Sequence, residues 1–217
     1  MSFKIKPQFK VFQKLALVSV LIGFLASFLA VSLKRITEHY EDIFFLKAVQ
    51  FNFLYLLFPL FGLTIIYFLR KYMFKNKENK GIKEIFECTE ILNKNLPVYK
   101  IPSHFINGFF TVIFGGSTGI EVSTVVSSAT IGSVAQRKAN FLHEYKTELI
   151  CAGISAGITA LFCSPIAGIL FSIEVISRKV NKTLLFTNFI AVFVASLLIY
   201  VLDEPTLFLI KVSTWHF

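Results

Sequence analysis

Three stretches of this chain carry no charged residue over a length that fits a lipid bilayer. They are Leu15–Leu33, Phe51–Leu69 and Leu184–Leu202. Each approaches the ~20 apolar residues that a helix needs to cross a hydrocarbon core of ~30 Å. Hydrophobic residues make up 55% of the 217 residues and charged residues only 16%, which is too few to cover a water-soluble domain of this length. The sequence therefore predicts an all-α integral membrane protein.

The basic residues that give the chain its net charge of +9 are clustered beside the apolar stretches. Clusters lie in the N-terminal segment 1–14, in 70–83, in 137–146 and in 178–182. Because basic loops are retained in the cytoplasm, these four segments are predicted to face the cytoplasm, with residues 15–217 forming a multi-pass domain in the cell membrane. The acidic residues predicted on the opposite side are Glu38, Glu41, Asp42, Asp203 and Glu204.

Two further apolar segments are interrupted, and each is predicted to enter the membrane and return as a pair of short helices. The breaks are the glycine-rich residues 115–119 and the pair Ser164-Pro165, which is a helix-start signal. Broken helices are tolerated at membrane depth only inside protein or beside a cavity, which favours a many-helix transporter or channel over a simple anchor. The predicted helices are Ile101–Phe114, Ile120 to about Gln136, Leu149–Cys163 and Ile166–Ser177.

The glycine-rich break has the features of an anion site. Glycines let successive backbone amides point into one concavity, and the helix that follows adds its positive N-terminal end. An anion held by dipoles can also leave, as permeation requires. The alternative interpretation is a glycine hinge between two helices. The residues concerned are Gly116, Ser117, Thr118, Gly119 and Ile120.

A second helix start carries a lysine. Lys80, Gly81 and Ile82 open a predicted amphipathic helix over Gly81–Leu92. A lysine at a helix N-terminus opposes the helix dipole at a cost of ~0.3–1 kcal/mol, which a bound anion would offset. The alternative is a cytosolic basic loop.

The third segment of interest runs from Ser164 to Glu174. A carboxylate at the cytoplasmic end of a buried helix can relay protons. The interpretation favoured by the spacing is a simpler one, in which Glu174 pairs with Arg178 four residues later.

These three segments resemble, in order and spacing, those of the CLC family of chloride channels and chloride/proton antiporters. Ser164–Glu174 is similar to the family's Pro-Leu-Ala-Gly-x-Leu-Phe-x-x-Glu-Glu. Gly116–Ile120 stands where the family has Gly-Arg/Lys-Glu-Gly-Pro, and Lys80–Glu84 stands where it has Ser-Gly-Ile-Pro-Glu. The resemblance implies a homodimer of subunits that each hold two inverted repeats and one pore. This chain is then expected to be the N-terminal half of a longer protein, covering about one repeat.

The resemblance also locates departures that bear on mechanism. The family's gating glutamate falls on Thr118, its inner proton-transfer glutamate on Val175 and its pore serine on Lys80. Because two proton-carrying carboxylates are absent, passive permeation of chloride or a similar small anion is predicted, with the helix N-termini at Gly81 and Gly119 converging on one path.

Glu121 leaves a second mechanism open. Thr118-x-x-Glu121 reads as a capping box, which is the interpretation favoured by the sequence. Alternatively, Glu121 is a displaced gate, and the protein is an anion/proton antiporter.

Two rival functions come from other classes. An intramembrane enzyme is disfavoured because the sequence has no His-Glu-x-x-His motif, and no cofactor, metal or nucleic-acid partner is expected. The other rival is a non-transporting remnant of a transporter. The predicted partners are therefore a small anion, the lipid bilayer and a second copy of the chain.

Overall fold

The computed structural model describes residues 6–48, 54–75, 80–91, 94–116, 120–139, 143–177 and 180–204. These residues form α-helices and helical turns without a strand, which confirms the predicted all-α class. Short π-helical segments follow α2 at Leu69–Met73 and α7 at Ser172–Ser177, and a 3-10 turn, His143–Tyr145, precedes α6. The α-helices are α1 (Lys6–Ala48), α2 (Leu54–Phe68), α3 (Ile82–Glu90), α4 (Lys100–Ile113), α5 (Glu121–Lys138), α6 (Lys146–Phe162), α7 (Pro165–Phe171) and α8 (Lys182–Leu202).

Helices α1 and α8 run parallel along most of their length. Near their starts, the rings of Phe12 and Phe186 meet edge to face with centroids 5.3 Å apart. Near the end of α8, the Arg35 guanidinium pairs with the Glu204 carboxylate. Lys34, whose side chain is almost fully buried, adds a second ion pair to Glu204 at 3.5 Å. Glu204 therefore fixes the end of α8 to α1.

Helix α6 runs in the same direction as these two. Close to its start, the Thr187 hydroxyl on α8 donates to the backbone oxygen of Glu148 at 3.4 Å. Just past its end, the Cys163 thiol lies 3.9 Å from the backbone oxygen of Glu204. The starts of these three parallel helices, which carry Lys10, Lys146 and Lys182, therefore share one end of the molecule. Asp203 and Glu204 lie at the other end, as the charge pattern predicts.

Helix α1 is longer than the predicted span Leu15–Leu33. It continues to Ala48 because the residues after Lys34 include neither glycine nor proline. By length and composition, two helical stretches within the described ranges are apolar enough to cross a membrane, Lys10–Phe44 and Lys182–Leu202. The other apolar helices among the described residues are shorter.

Both predicted breaks produce helical hairpins. In the first, α4 and α5 are antiparallel: the Ser127 hydroxyl donates to the Ile101 backbone oxygen at 3.4 Å, and Gly108 lies directly against Ser123. Helix α4, with 14 residues, is too short to cross a ~30 Å core alone. The antiparallel pair agrees with the predicted hairpin of two short helices.

In the second hairpin, α7 folds back along α6. Cys163 adopts a left-handed conformation with φ 52°, and Pro165 then opens α7 with Ser164 before it. Gly168 approaches so closely that a Cβ there would lie 2.4 Å from the Ser155 backbone oxygen. A proline at the start of a helix loses no intrahelical hydrogen bond, which is why the chain restarts at this point.

Candidate functional site

The start of α3 is held against α5 by one apolar face. Ile85 and Cys88 of α3 are fully buried and belong to the same core cluster as Val125, Val126 and Ala129 of α5. The opposite face of α3 carries charged side chains. This amphipathic helix is the one predicted over Gly81–Leu92.

The N-termini of α3 and α5 meet. Gly81 is the residue before α3, and its φ of 59° is a conformation that glycine adopts without strain. A Cβ built on Gly81 would lie 4.0 Å from Cγ1 of Val122, the second residue of α5. The partial positive charge of a helix concentrates in its first turn. This arrangement therefore places the positive ends of α3 and α5 next to each other, which favours an anion between them. Gly81 and the first turn of α5 therefore lie side by side, while Gly119, the other half of the predicted convergence, lies outside the described residues.

Glu121 occupies the first position of α5. The residue before the helix is Ile120, whose backbone oxygen accepts the first helical hydrogen bond, from the Thr124 amide at 2.8 Å. A capping box requires the glutamate at the third helical position, so the predicted pairing of Glu121 with Thr118 does not match this helix start. The carboxylate is exposed beside the positive end of the helix. Ser117, Thr118 and Gly119 lie outside the described residues.

Gly116 has a different role from the one predicted. Its amide donates to the Thr111 oxygen at 2.7 Å, and the Gly115 amide donates to the Val112 oxygen at 2.8 Å. With Gly115 at φ 78°, this pair of bonds is a Schellman motif that ends α4. The Gly116 amide is therefore used to terminate a helix and does not join the predicted anion concavity.

Lys80 is exposed just ahead of the α3 N-terminus. The positive charge of Lys80 also acts on Glu87, further along α3. The pKa of the Glu87 carboxyl is lowered, first by a hydrogen bond from Lys94 and then by the positive charges of Lys94, Lys80 and Lys83. Lys80 and Lys83 thus add positive charge near the N-terminus of α3, beside the two helix dipoles.

Two buried lysines anchor α3, and the sequence interpretation missed both. The Lys100 ammonium, with its side chain 1% exposed, pairs with the Glu84 carboxylate and ties α3 to α4. Lys146 was counted among the basic loop residues, but it is buried and donates to the backbone oxygens of Ile91 and Lys94. A lysine at the start of an apolar helix was the available signal, because a buried ammonium requires acceptors.

The third predicted segment leaves Glu174 exposed in the π-helical turn after α7, while Val175 packs partly buried against the α3–α5–α6 core. Arg178, the predicted partner of Glu174, lies outside the described residues. A π-helical turn within an apolar helix often occurs at functional sites.

Comparison with known proteins agrees with this architecture. A family described as "Voltage gated chloride channel" matches residues 61–217. A chloride/fluoride channel protein of Pseudomonas syringae pv. tomato is 29% identical over 103 residues, which is 47% of this chain and 23% of that protein.

The fold also matches a solved structure. A crystal structure of a CLC-type fluoride/proton antiporter has a TM-score of 0.69 at 28% sequence identity, covering 86% of this chain and 47% of that one. The chain thus spans half or less of the length of these relatives. Since the family match extends over more than half of the chain, this protein belongs to the voltage-gated chloride channel family.

Proposed function

We propose that the full-length protein carries a small anion, chloride or fluoride, across the cell membrane as a multi-pass protein. The observation that carries this proposal is the meeting of the α3 and α5 N-termini at Gly81 and Val122. Two helix dipoles attract an anion without a covalent or metal bond, so the anion can also depart. Chloride and fluoride are proposed because these are the anions named for the similar proteins. A homodimer is proposed on the family resemblance.

The position of Glu121 favours a proton-coupled mechanism. An exposed carboxylate at the first position of α5 lies beside the proposed anion path, whereas a capping box would require it at the third position. A carboxylate there can exchange a proton, and in its charged form it competes with an anion for the same helix end. The similarity to a fluoride/proton antiporter agrees with this mechanism. Passive permeation, suggested by Thr118 and Val175, is the alternative.

The test is flux from liposomes that contain the purified full-length protein. Vesicles loaded with potassium chloride or potassium fluoride are expected to release the anion when a potassium ionophore removes the opposing voltage, as followed with an anion-selective electrode. A pH dye is expected to report proton movement in the opposite direction. Protein-free vesicles are the control. No release of either anion would support the non-transporting remnant and refute the proposal.

Lys80 is expected to tighten anion binding at the same helix ends. Removing its charge in Lys80→Met should weaken chloride and fluoride binding by up to about fivefold, because the attraction between an exposed ammonium and an anion contributes up to ~1 kcal/mol. Calorimetric titration of the purified protein measures the affinity. Lys83→Met, which removes an exposed lysine from the first turn of α3, is the matched control and should have the smaller effect. Equal affinities in the wild type and Lys80→Met would show that Lys80 does not contribute to anion binding, which would then depend on the backbone dipoles alone.

A further inference from the structure

A cavity of about 500 Å³ opens at the end of the molecule where α6 and α8 begin. Its walls come from α3, the start of α6, the π-helical turn after α7 and the start of α8. Three carboxylates line it, those of Glu90, Glu144 and Glu148. An acidic lining is unexpected at this end of a protein with a net charge of +9, and the anion path described above does not use it.

Glu148 differs from the other two carboxylates because it is buried. It is 8% exposed, whereas Glu90 and Glu144 are exposed. The Asn181 side-chain amide donates to its carboxylate at 3.0 Å. A carboxylate is costly to bury unless it is paired or used. Glu148 thus accepts a hydrogen bond from Asn181 and also lines the cavity, so water in the cavity can reach the carboxylate while the protein holds it in place.

The cavity also reaches the segment where the family's inner proton-transfer glutamate is replaced. That position is Val175, and the next two residues, Ile176 and Ser177, line the cavity beside Glu148. Valine cannot carry a proton. Glu148 therefore supplies, from a neighbouring helix, a titratable group to the same cavity.

A buried polar strip leads inward from Glu148. Ser155 and Thr159 follow Glu148 on one face of α6, at spacings of seven and eleven residues. The Ser172 hydroxyl accepts hydrogen bonds from the Ser155 hydroxyl and the Asn188 amide, each at 2.8 Å. The side chains of the strip beyond Glu148 have no exposed surface; they are Ser155, Thr159, Ser172 and Asn188. Eleven residues of helix cover ~16 Å, which is about half of a ~30 Å hydrocarbon core.

Two atoms of this strip have no hydrogen-bond partner within the described part of the chain, Oδ1 of Asn188 and Oγ1 of Thr159. An unpaired polar atom at such depth costs ~1–3 kcal/mol. Hydroxyl and amide groups that are not saturated can bind a water molecule or pass on a hydrogen bond. The strip therefore has the chemical character of a proton route and differs from an ordinary apolar helix interface.

We propose that Glu148 is the group that exchanges protons between the cavity and the interior of the protein. Its carboxylate takes a proton from water in the cavity and returns it to a water or hydroxyl further along the strip, so only O–H bonds form and break. This inference rests on the proton-coupled mechanism proposed for Glu121. It adds a residue on a different helix, α6.

The test compares Glu148→Gln with the wild type in the full-length protein in liposomes, measuring anion and proton movement separately. Glutamine keeps the oxygen that accepts from Asn181, so the fold is retained, but it cannot titrate. Proton movement is expected to fall about tenfold or more, while anion release continues. Glu144→Gln, which neutralises an exposed carboxylate of the same cavity, should leave both fluxes unchanged.

Three results would overturn the proposal and are distinguishable. If Glu148→Gln moves protons at the wild-type rate, Glu148 has no such role and the proposed function stands. If the wild type moves anions without protons, the coupled mechanism fails together with the role of Glu148, and anion transport stands. If the wild type moves neither anions nor protons, the proposed function itself fails.

Discussion

Glu121→Gln is expected to abolish proton movement through the full-length protein while leaving a measurable anion flux. The carboxylate lies at the first position of α5, beside the point where Gly81 meets Val122. A carboxylate alternates between a neutral acid and an anion, so it can carry a proton and can compete with the transported anion. The amide of glutamine does neither. Glutamine also has no negative charge, so it cannot compete with the transported anion for the positive end of α5.

The measurement is the reversal potential under opposed anion and proton gradients. In the wild type it should shift with the proton gradient, and in Glu121→Gln it should follow the anion gradient alone. Glu174→Gln removes another exposed carboxylate, in the π-helical turn after α7, and is the matched control. Coupling that survives in Glu121→Gln would assign the proton to a different group. A wild type without coupling would restore the passive mechanism suggested by Thr118 and Val175.

Gly132→Ala and Gly153→Ala are expected to destabilise the protein strongly, although alanine normally favours a helix over glycine. The two glycines lie on either side of the α5–α6 crossing. A Cβ on Gly132 would lie 2.3 Å from the Leu149 backbone oxygen, and a Cβ on Gly153 would lie 2.3 Å from the Ser128 backbone oxygen. Backbone atoms of a packed helix cannot rotate away. The free energy of unfolding should therefore fall by about 2–3 kcal/mol for each substitution, near the upper part of the usual range for overpacking.

Unfolding titrations of the purified protein in detergent micelles measure this loss. Val201→Ile is the matched control, since it also adds one carbon but does so on an exposed face of α8. Its stability should equal that of the wild type. The double variant should lose less than the sum of the two single losses, because both substitutions separate the same pair of helices. Alanine variants as stable as the control would show that α5 and α6 are less closely packed than the structure indicates.

The two hairpins were predictable from sequence because their signals are local. Proline restricts its own φ and the residue before it, and glycines permit the chain reversal, so residues 115–119 and Ser164-Pro165 mark the breaks without reference to any neighbour. The predicted helix Leu149–Cys163 corresponds to α6, and Ile166–Ser177 corresponds to α7 with its π-helical turn. The motif around Ser164–Glu174 was likewise sufficient to indicate the family, which the comparisons confirm.

The roles of single residues at the site were harder to predict from the sequence. Gly116 follows a helix whose carbonyl groups require partners, and only the positions of Thr111 and Val112 relative to the turn show that the glycine amides supply them. For Glu121, the predicted capping box requires α5 to begin two residues earlier than it does. That shift of two residues changes Glu121 from a capping residue to an exposed carboxylate at the helix start. Helix boundaries are the least certain feature of a sequence interpretation, because several successive residues can begin the same helix.

The sequence by itself determined the membrane character, the all-α class and the order of the helices, because apolar length and periodicity are read from residues that are neighbours in the chain. Only the tertiary structure decided which distant residues meet. Gly81 and Val122 are brought together by the packing of α3 on α5, and Glu148 becomes buried beside Asn181 because α6 and α8 run parallel. Burial and charge pairing depend on neighbours from other helices, and no pattern along a single helix encodes them.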